Sequence, residues 1–218
     1  MYNLGSGDDN LDKSAIILAG GSSKGFEEDK GLLKLDNKPL LTRVVGAVKG
    51  VAEEVIVVTS SQDRVDLYSK IVPPTVRFVI NDYEPKGILA GASVGFEAAQ
   101  GKYSLLLPFD APFVSKEVIS LLFDLSNFKS AVIPRTPDCE MEPQQAVYNT
   151  AIALEAAKLA IAEGETDLEE MISKLRGVRY ISTMVIKELD PDLKTFFTIY
   201  TPLDMRKAVV MLKPRRSQ

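Results

Sequence analysis

A mostly parallel β-sheet with helices on both faces is the fold class that the sequence predicts. Three observations carry it. Short apolar runs rich in β-branched residues alternate with stretches of helical spacing along nearly the whole chain. The first run, residues 15–18 (AIIL), is apolar without alternation, as in a strand buried on both faces. Glycines, carboxylates and prolines fall directly after several of these runs, at the ends where such sheets bind ligands.

Taken in order, residues 15–18 form the first strand. Residues 39–48 read as a helix with Pro39 near its start, where a missing amide hydrogen costs nothing. Residues 55–59 (VIVVT) are β-branched and predict a second strand. Residues 64–71 predict a helix stopped by Pro73 and Pro74. A third strand follows at 76–80. Residues 88–100 carry small and apolar side chains at helical spacing, closed by Gly101. Residues 104–107 are a fourth strand, ended by Pro108. Ser115 caps a helix over 116–125, with Val118, Leu121 and Leu122 on one face. Strands are expected at 131–134 and 144–148. A helix over 151–163 ends at Gly164, and another runs from Thr166 or Asp167 to about Leu175. Strands at 178–181 and 196–199 and a helix at 202–212 complete the set. There is no internal repeat. Residues 14–213 form a single domain in this reading, between a polar leader (1–13) and a basic tail (214–218).

Composition narrows the chemistry. The 218 residues suit one domain able to bury a core unaided. A net charge of −4 gives no electrostatic reason to bind nucleic acid or a membrane surface. The first residues lack a basic start and apolar run, and a single cysteine, Cys139, suits a reducing cytoplasm. There is no histidine. That removes the commonest general base and the Ser-His-Asp and Cys-His arrangements, and argues against zinc. A bound metal should be a hard cation on oxygen, such as magnesium. Phosphoryl and nucleotidyl transfer fit, because positioning and charge neutralisation do most of their catalysis.

The candidate residues lie after the strands. Gly20 and Gly21 follow the first one, and two residues without side chains let backbone amides approach phosphate oxygens; a plain tight turn explains them about equally well. Lys30 sits between the polar stretch containing Ser22, Ser23 and Lys24 and an anchoring apolar segment, where its ammonium acts as a point charge. A solvated lysine is the simpler alternative. Asp110, in LLLPFDAPFV, is fixed between prolines beyond the fourth strand, as a magnesium ligand or as a turn cap. Asp82 follows the third strand, as a turn residue or as an acceptor for base or ribose donors. Gln144 and Gln145 are either contacts for an acceptor substrate or edge decoration.

Five stretches, LAGGSSKGFEEDKGLLKLDNKPLL, NDYEPKGILAGA, PFDAPFV, EPQQAVYN and YTPLDMRKA, resemble in order those of the molybdenum cofactor guanylyltransferases. The likeness spans about residues 15–208. It implies a Rossmann-like, three-layer α/β/α nucleotidyltransferase fold with a mostly parallel mixed sheet. It implies transfer of GMP from GTP to the terminal phosphate of molybdopterin with Mg²⁺, and transient contact with other cofactor-biosynthesis or acceptor proteins. By position it assigns Leu18, Ala19 and Gly20 to the GTP loop, with Gly21 and Lys24 beside them. It assigns Lys30 and Asp82 to nucleotide contacts, and Asp110 to both nucleotide and metal. The chain departs from the pattern at Gly25, Phe26 and Glu27, where arginine, methionine or phenylalanine, and glycine are usual. It departs again at Val58 and Tyr200, where asparagine is common. A cytidylyl or phosphosugar transferase, or a catalytically weakened nucleotide binder, remains open beside the guanylyl reading.

Overall fold

Ala15, Ile16 and Ile17 are fully buried, although successive strand side chains point to opposite faces. The first strand must therefore lie inside a sheet covered on both sides. The computed structural model, which describes residues 11–21, 25–26, 28–84 and 87–212, has that arrangement. Its elements are β1 (Lys13–Leu18), β2 (Lys34–Leu35), β3 (Lys38–Pro39), α1 (Leu40–Val48), β4 (Glu54–Thr59), α2 (Gln62–Tyr68), β5 (Arg77–Ile80), α3 (Ile88–Ala98) and β6 (Tyr103–Pro108). Then come α4 (Lys116–Asp124), β7 (Ala131–Arg135), β8 (Ala146–Asn149), α5 (Thr150–Ala162), α6 (Leu168–Ser173), β9 (Val178–Ser182), α7 (Thr183–Ile186) and α8 (Pro202–Met211).

The seven-stranded sheet runs β5-β4-β1-β6-β8-β7-β9. Only β8 is antiparallel to its neighbours, so the sheet is mixed and mostly parallel. Its two faces sort by alternation. Ile17, Val57 and Leu105 pack with Leu41, Val44 and Val48 of α1 and Val118 and Leu122 of α4. Ile16, Ile56 and Leu106 pack with Leu89 and Phe96 of α3, Ala153 and Ala157 of α5, and Met171 of α6. Each fully buried Ile or Leu contributes roughly 1.5–3 kcal/mol. A smaller cluster of Leu35, Leu40, Ile199 and Ala208 seats α8 on the hairpin of β2 and β3.

Register fixes what comes next. Leu18 stands opposite both Val58 of β4 and Pro108 of β6, while Thr59 stands opposite Ile80 of β5. Four parallel strands thus end nearly level. Bonding continues one step beyond: Ala19 N–H donates to Val58 C=O (2.7 Å), Phe109 N–H to Leu18 C=O (3.2 Å) and Asn81 N–H to Thr59 C=O (2.8 Å).

Most expected elements are present, with ends shifted by a residue or two, and Ser115 does cap α4 by accepting from Val118 N–H. The helix expected at 64–71 instead runs from Gln62 to Tyr68, because Ser61 caps it by accepting from Arg64 N–H. The strand expected at 196–199 is not formed. Lys194–Phe196 is a 3₁₀ turn, and Phe197 and Ile199 pack into the cluster under α8 instead of pairing along an edge. Their apolar character reports burial, which a strand and a packed loop share. Three short elements lie outside the expected set. The β2 and β3 hairpin turns through Asp36 and Asn37, both at positive φ (51° and 59°), a conformation these residues tolerate best after glycine. The short α7 is capped by Ser182.

Candidate active site

The level strand ends place Asn81, Thr59–Ser60, Gly20–Gly21 and Phe109–Asp110 side by side around a cleft of about 430 Å³. That volume suits a small-molecule ligand. At its floor the Lys30 ammonium meets the Asp110 carboxylate, Nζ to Oδ2 2.5 Å, with both side chains more than nine-tenths buried. The rings of Phe109 and Tyr200 flank the ammonium, their centroids 5.6 and 5.7 Å away. The Asp110 carbonyl accepts a hydrogen bond from Ile199 N–H (3.0 Å), which docks the C-terminal segment beside the pair and sets Tyr200 in the cleft wall. Burial pushes the Asp110 carboxyl above the ordinary range, against the lowering pull of the hydrogen bond and charge from Lys30.

The other expected residues fall into four groups. Leu18, Gly20 and Gly21 line the cleft with Lys30 and Asp110. A side-chain carbon added at Gly20 would meet nothing within 4 Å, and one at Gly21 only the Phe109 ring at 3.9 Å. Protein packing does not demand glycine at these two positions, so the space kept clear is cleft space. Ala19 is buried below the surface of the cleft, its N–H bonded to Val58 and its C=O to Arg64 Nη1 (3.1 Å). Asp82 is exposed and outside the lining, while its neighbour Asn81 is 9% exposed and lines the wall. Asn81 Oδ1 accepts from Tyr83 N–H (3.1 Å), a local turn that fixes the side chain. Lys24, with residues 22, 23 and 27, lies outside the described residues.

Gln144 also lines the cleft, just ahead of β8, and Gln145 is buried next to it. Sequence reasoning left out Asn81, which a one-residue shift in the turn substitutes for Asp82. It also left out Arg64, whose partners lie 35 and 45 residues away in the chain and leave no local signal.

Metal-binding capacity is narrow. Among the described residues no three His, Cys, Asp or Glu side chains gather as a ready-made cage. Asp110 is the carboxylate among the described lining residues. One hard oxygen donor beside an open cleft fits a cation that keeps waters and shares its coordination with substrate phosphates, which is how magnesium is usually held.

An open α/β sheet with a glycine-lined cleft, a buried lysine and a buried aspartate at its strand ends is arranged to bind a small ligand, and the family match assigns it to the nucleotidyltransferase class. Residues 15–178 match the MobA-like NTP transferase domain, and the chain belongs to that family. It is 30% identical over 204 residues to a probable molybdenum cofactor guanylyltransferase of Methanosarcina acetivorans, covering 90% of each chain. Its fold is similar to that of molybdopterin-guanine dinucleotide biosynthesis protein A from Archaeoglobus fulgidus (TM-score 0.77, 22% identity, 91% of this chain and 97% of that one). It is also similar to that of 4-diphosphocytidyl-2C-methyl-D-erythritol synthase from Anaerococcus prevotii (TM-score 0.71, 18% identity, 94% and 97% covered).

Proposed function

We propose that this chain transfers GMP from GTP to the terminal phosphate of molybdopterin, releasing pyrophosphate, with Mg²⁺. The observation that carries the reading is the buried Lys30–Asp110 pair facing the open backbone of Gly20 and Gly21 across one cleft. The curated relative of 30% identity supports the choice of base and acceptor, since it is named for that reaction.

The chemistry asks little of proton transfer. An oxygen of the acceptor phosphate, already ionised near neutral pH, attacks the α-phosphorus of GTP. The bond from that phosphorus to the bridging oxygen breaks, and pyrophosphate leaves with the electron pair. No base removes a proton, which is consistent with a chain that has no histidine. The requirement is to bring two polyanions together. Lys30 supplies a fixed positive charge, held in place by Asp110 and flanked by the rings of Phe109 and Tyr200. The Gly20–Gly21 backbone offers room for the phosphates. Asp110 would hold the magnesium ion, which when bound neutralises charge on the triphosphate and on the leaving pyrophosphate. Asn81 and the backbone about Gly87 and Gly91, on the β5 and α3 side of the cleft, would meet the base and ribose. Gln144 and Tyr200, on the opposite side, would meet the acceptor.

Another acceptor or base is the second reading. It is favoured by Tyr200, a residue 64% exposed in the cleft wall where the family pattern usually carries asparagine. Thermal shift with GTP, CTP, ATP and UTP, each with and without Mg²⁺, separates the bases. The expected result is the largest rise with Mg²⁺ and GTP, and an equal response to all four would sink the guanine assignment. Pyrophosphate release on adding molybdopterin then separates transfer from mere binding.

A further inference from the structure

We infer that Arg64 is a positioning residue that staples together the two ends of the glycine loop, and so sets the geometry in which Gly20, Gly21 and Lys30 meet a nucleotide. The inference rests on the nucleotide reading above. Arg64 projects from α2 with 19% of its side chain exposed. Its Nη1 donates to the Ala19 carbonyl (3.1 Å), the last backbone group before Gly20. Its Nε faces Asp29 Oδ2 at 3.2 Å, and Asp29 immediately precedes Lys30. The same Nη1 reaches Ser60 Oγ (3.3 Å), a residue of the cleft wall. One guanidinium therefore links the point where the chain leaves β1, the point where it returns, and the end of β4.

Asp29 is tied from its other oxygen as well. Oδ1 accepts from Tyr68 Oη (2.6 Å) and from Gly31 N–H (2.9 Å). Tyr68 is fully buried, and a side-chain carbon at Gly31 would lie 2.8 Å from its ring, so glycine is what lets the chain pass this close. Burial, and then the hydrogen bond to Asp29, raise the Tyr68 phenol above its ordinary range, so it stays a donor at any working pH. The carboxylate is thus anchored on one side by Tyr68 and Gly31 and on the other by Arg64. The chain continues from it directly into Lys30 and the Asp110 pair. A planar fork is suited to holding two acceptors at fixed separation, and a lysine in its place would reach one of them.

The test uses the whole chain with Arg64→Ala and Arg64→Lys, both confirmed as folded by circular dichroism and melting. Without nucleotide, exchange of the Gly31 amide hydrogen should quicken about tenfold in both variants, because Asp29 loses half of its anchorage. In titrations with Mg-GTP, and with Mg-CTP as the alternative base, the Kd of the nucleotide that the wild type prefers should rise about tenfold in both. Added guanidinium chloride in the low millimolar range should recover part of the affinity of Arg64→Ala. Arg64→Lys matching the wild type overturns the inference, since a positive charge alone would then suffice. Unchanged Gly31 exchange also overturns it. Wild-type protein that binds none of the nucleotides overturns the nucleotide reading instead, and the Gly31 exchange still reports whether the staple exists.

Discussion

Charged groups are buried at both ends of the central strands, and the two ends differ in how they are satisfied. At the amino ends, Glu54 is enclosed by the chain. Its Oε1 accepts from Ser14 Oγ (2.6 Å) and Gln100 N–H (2.5 Å), and its Oε2 from Arg77 Nη1 (2.8 Å). Ser14 Oγ accepts in turn from Gly101 N–H (2.8 Å). These bonds tie the starts of β1, β4, β5 and β6 to one another. At the carboxyl ends, Lys30 and Asp110 also face each other, but beside a cleft and between aromatic rings, with the carboxyl pushed up by burial. The first network closes the fold; the second keeps a desolvated pair where a polyanion can reach it. Buried charge by itself does not mark a site. Buried charge beside open space does.

Four substitutions sharpen that contrast. Asp110→Asn should lower the rate of pyrophosphate release by about a thousandfold while the protein still folds, because the pre-set charge at the reacting phosphates is lost. Near-normal turnover would place Asp110 on the structural side of the comparison. Lys30→Ala should weaken nucleotide binding by about tenfold to a hundredfold, read by titration calorimetry. Glu54→Ala should do the reverse: turnover within about twofold of wild type, but roughly 3 kcal/mol less stability in urea, since Arg77 and several donors lose their acceptor. The smallest effect is in acid. Asp204, in the capping box of α8 with Thr201, is held down to about 2 by Lys207 and then Thr201. A depressed carboxyl contributes stability that is present above its unfolded pKa and is lost as pH falls towards the folded one. The wild-type advantage in Tm over Asp204→Asn should therefore shrink between about pH 4 and pH 2.

The Asp110 carboxyl has the opposite sign. With its folded pKa raised, it binds a proton more readily in the folded protein. Its ionisation opposes folding at neutral pH, and that opposition fades as pH falls through the raised value. Urea melts at several pH values should show wild type gaining on Asp110→Asn as the solution is acidified from neutrality.

Much of this was legible in the residues. The unbroken apolar character of residues 15–18 marked a strand buried on both faces, and Ser115 and Gly164 marked helix ends, because those signals are local. Gly20, Gly21 and Asp110 could be singled out because they directly follow buried runs, and Lys30 because it stands where a polar stretch meets an anchoring apolar segment. What stayed hidden was set by long-range geometry. Whether Asn81 or Asp82 faces the cleft depends on one residue of turn after β5. Arg64 gains its meaning from partners in two other segments. The stretch at 196–199 carries strand-like residues because Phe197 and Ile199 pack into the cluster under α8.

The single backbone bond from Ile199 to Asp110 has a consequence for how such an enzyme diversifies. The matched family region stops at residue 178, yet Tyr200, which comes from beyond it, lines the cleft next to the bond that Ile199 N–H donates to the Asp110 carbonyl. Tyr200 meets the pair through its ring, 5.7 Å from the Lys30 ammonium, whereas the backbone bond from Ile199 does not depend on which side chain stands at position 200, so the residue there can be exchanged without losing that bond. Evolution, or a designer, could re-aim the enzyme at a new recipient by rewriting the codon for position 200.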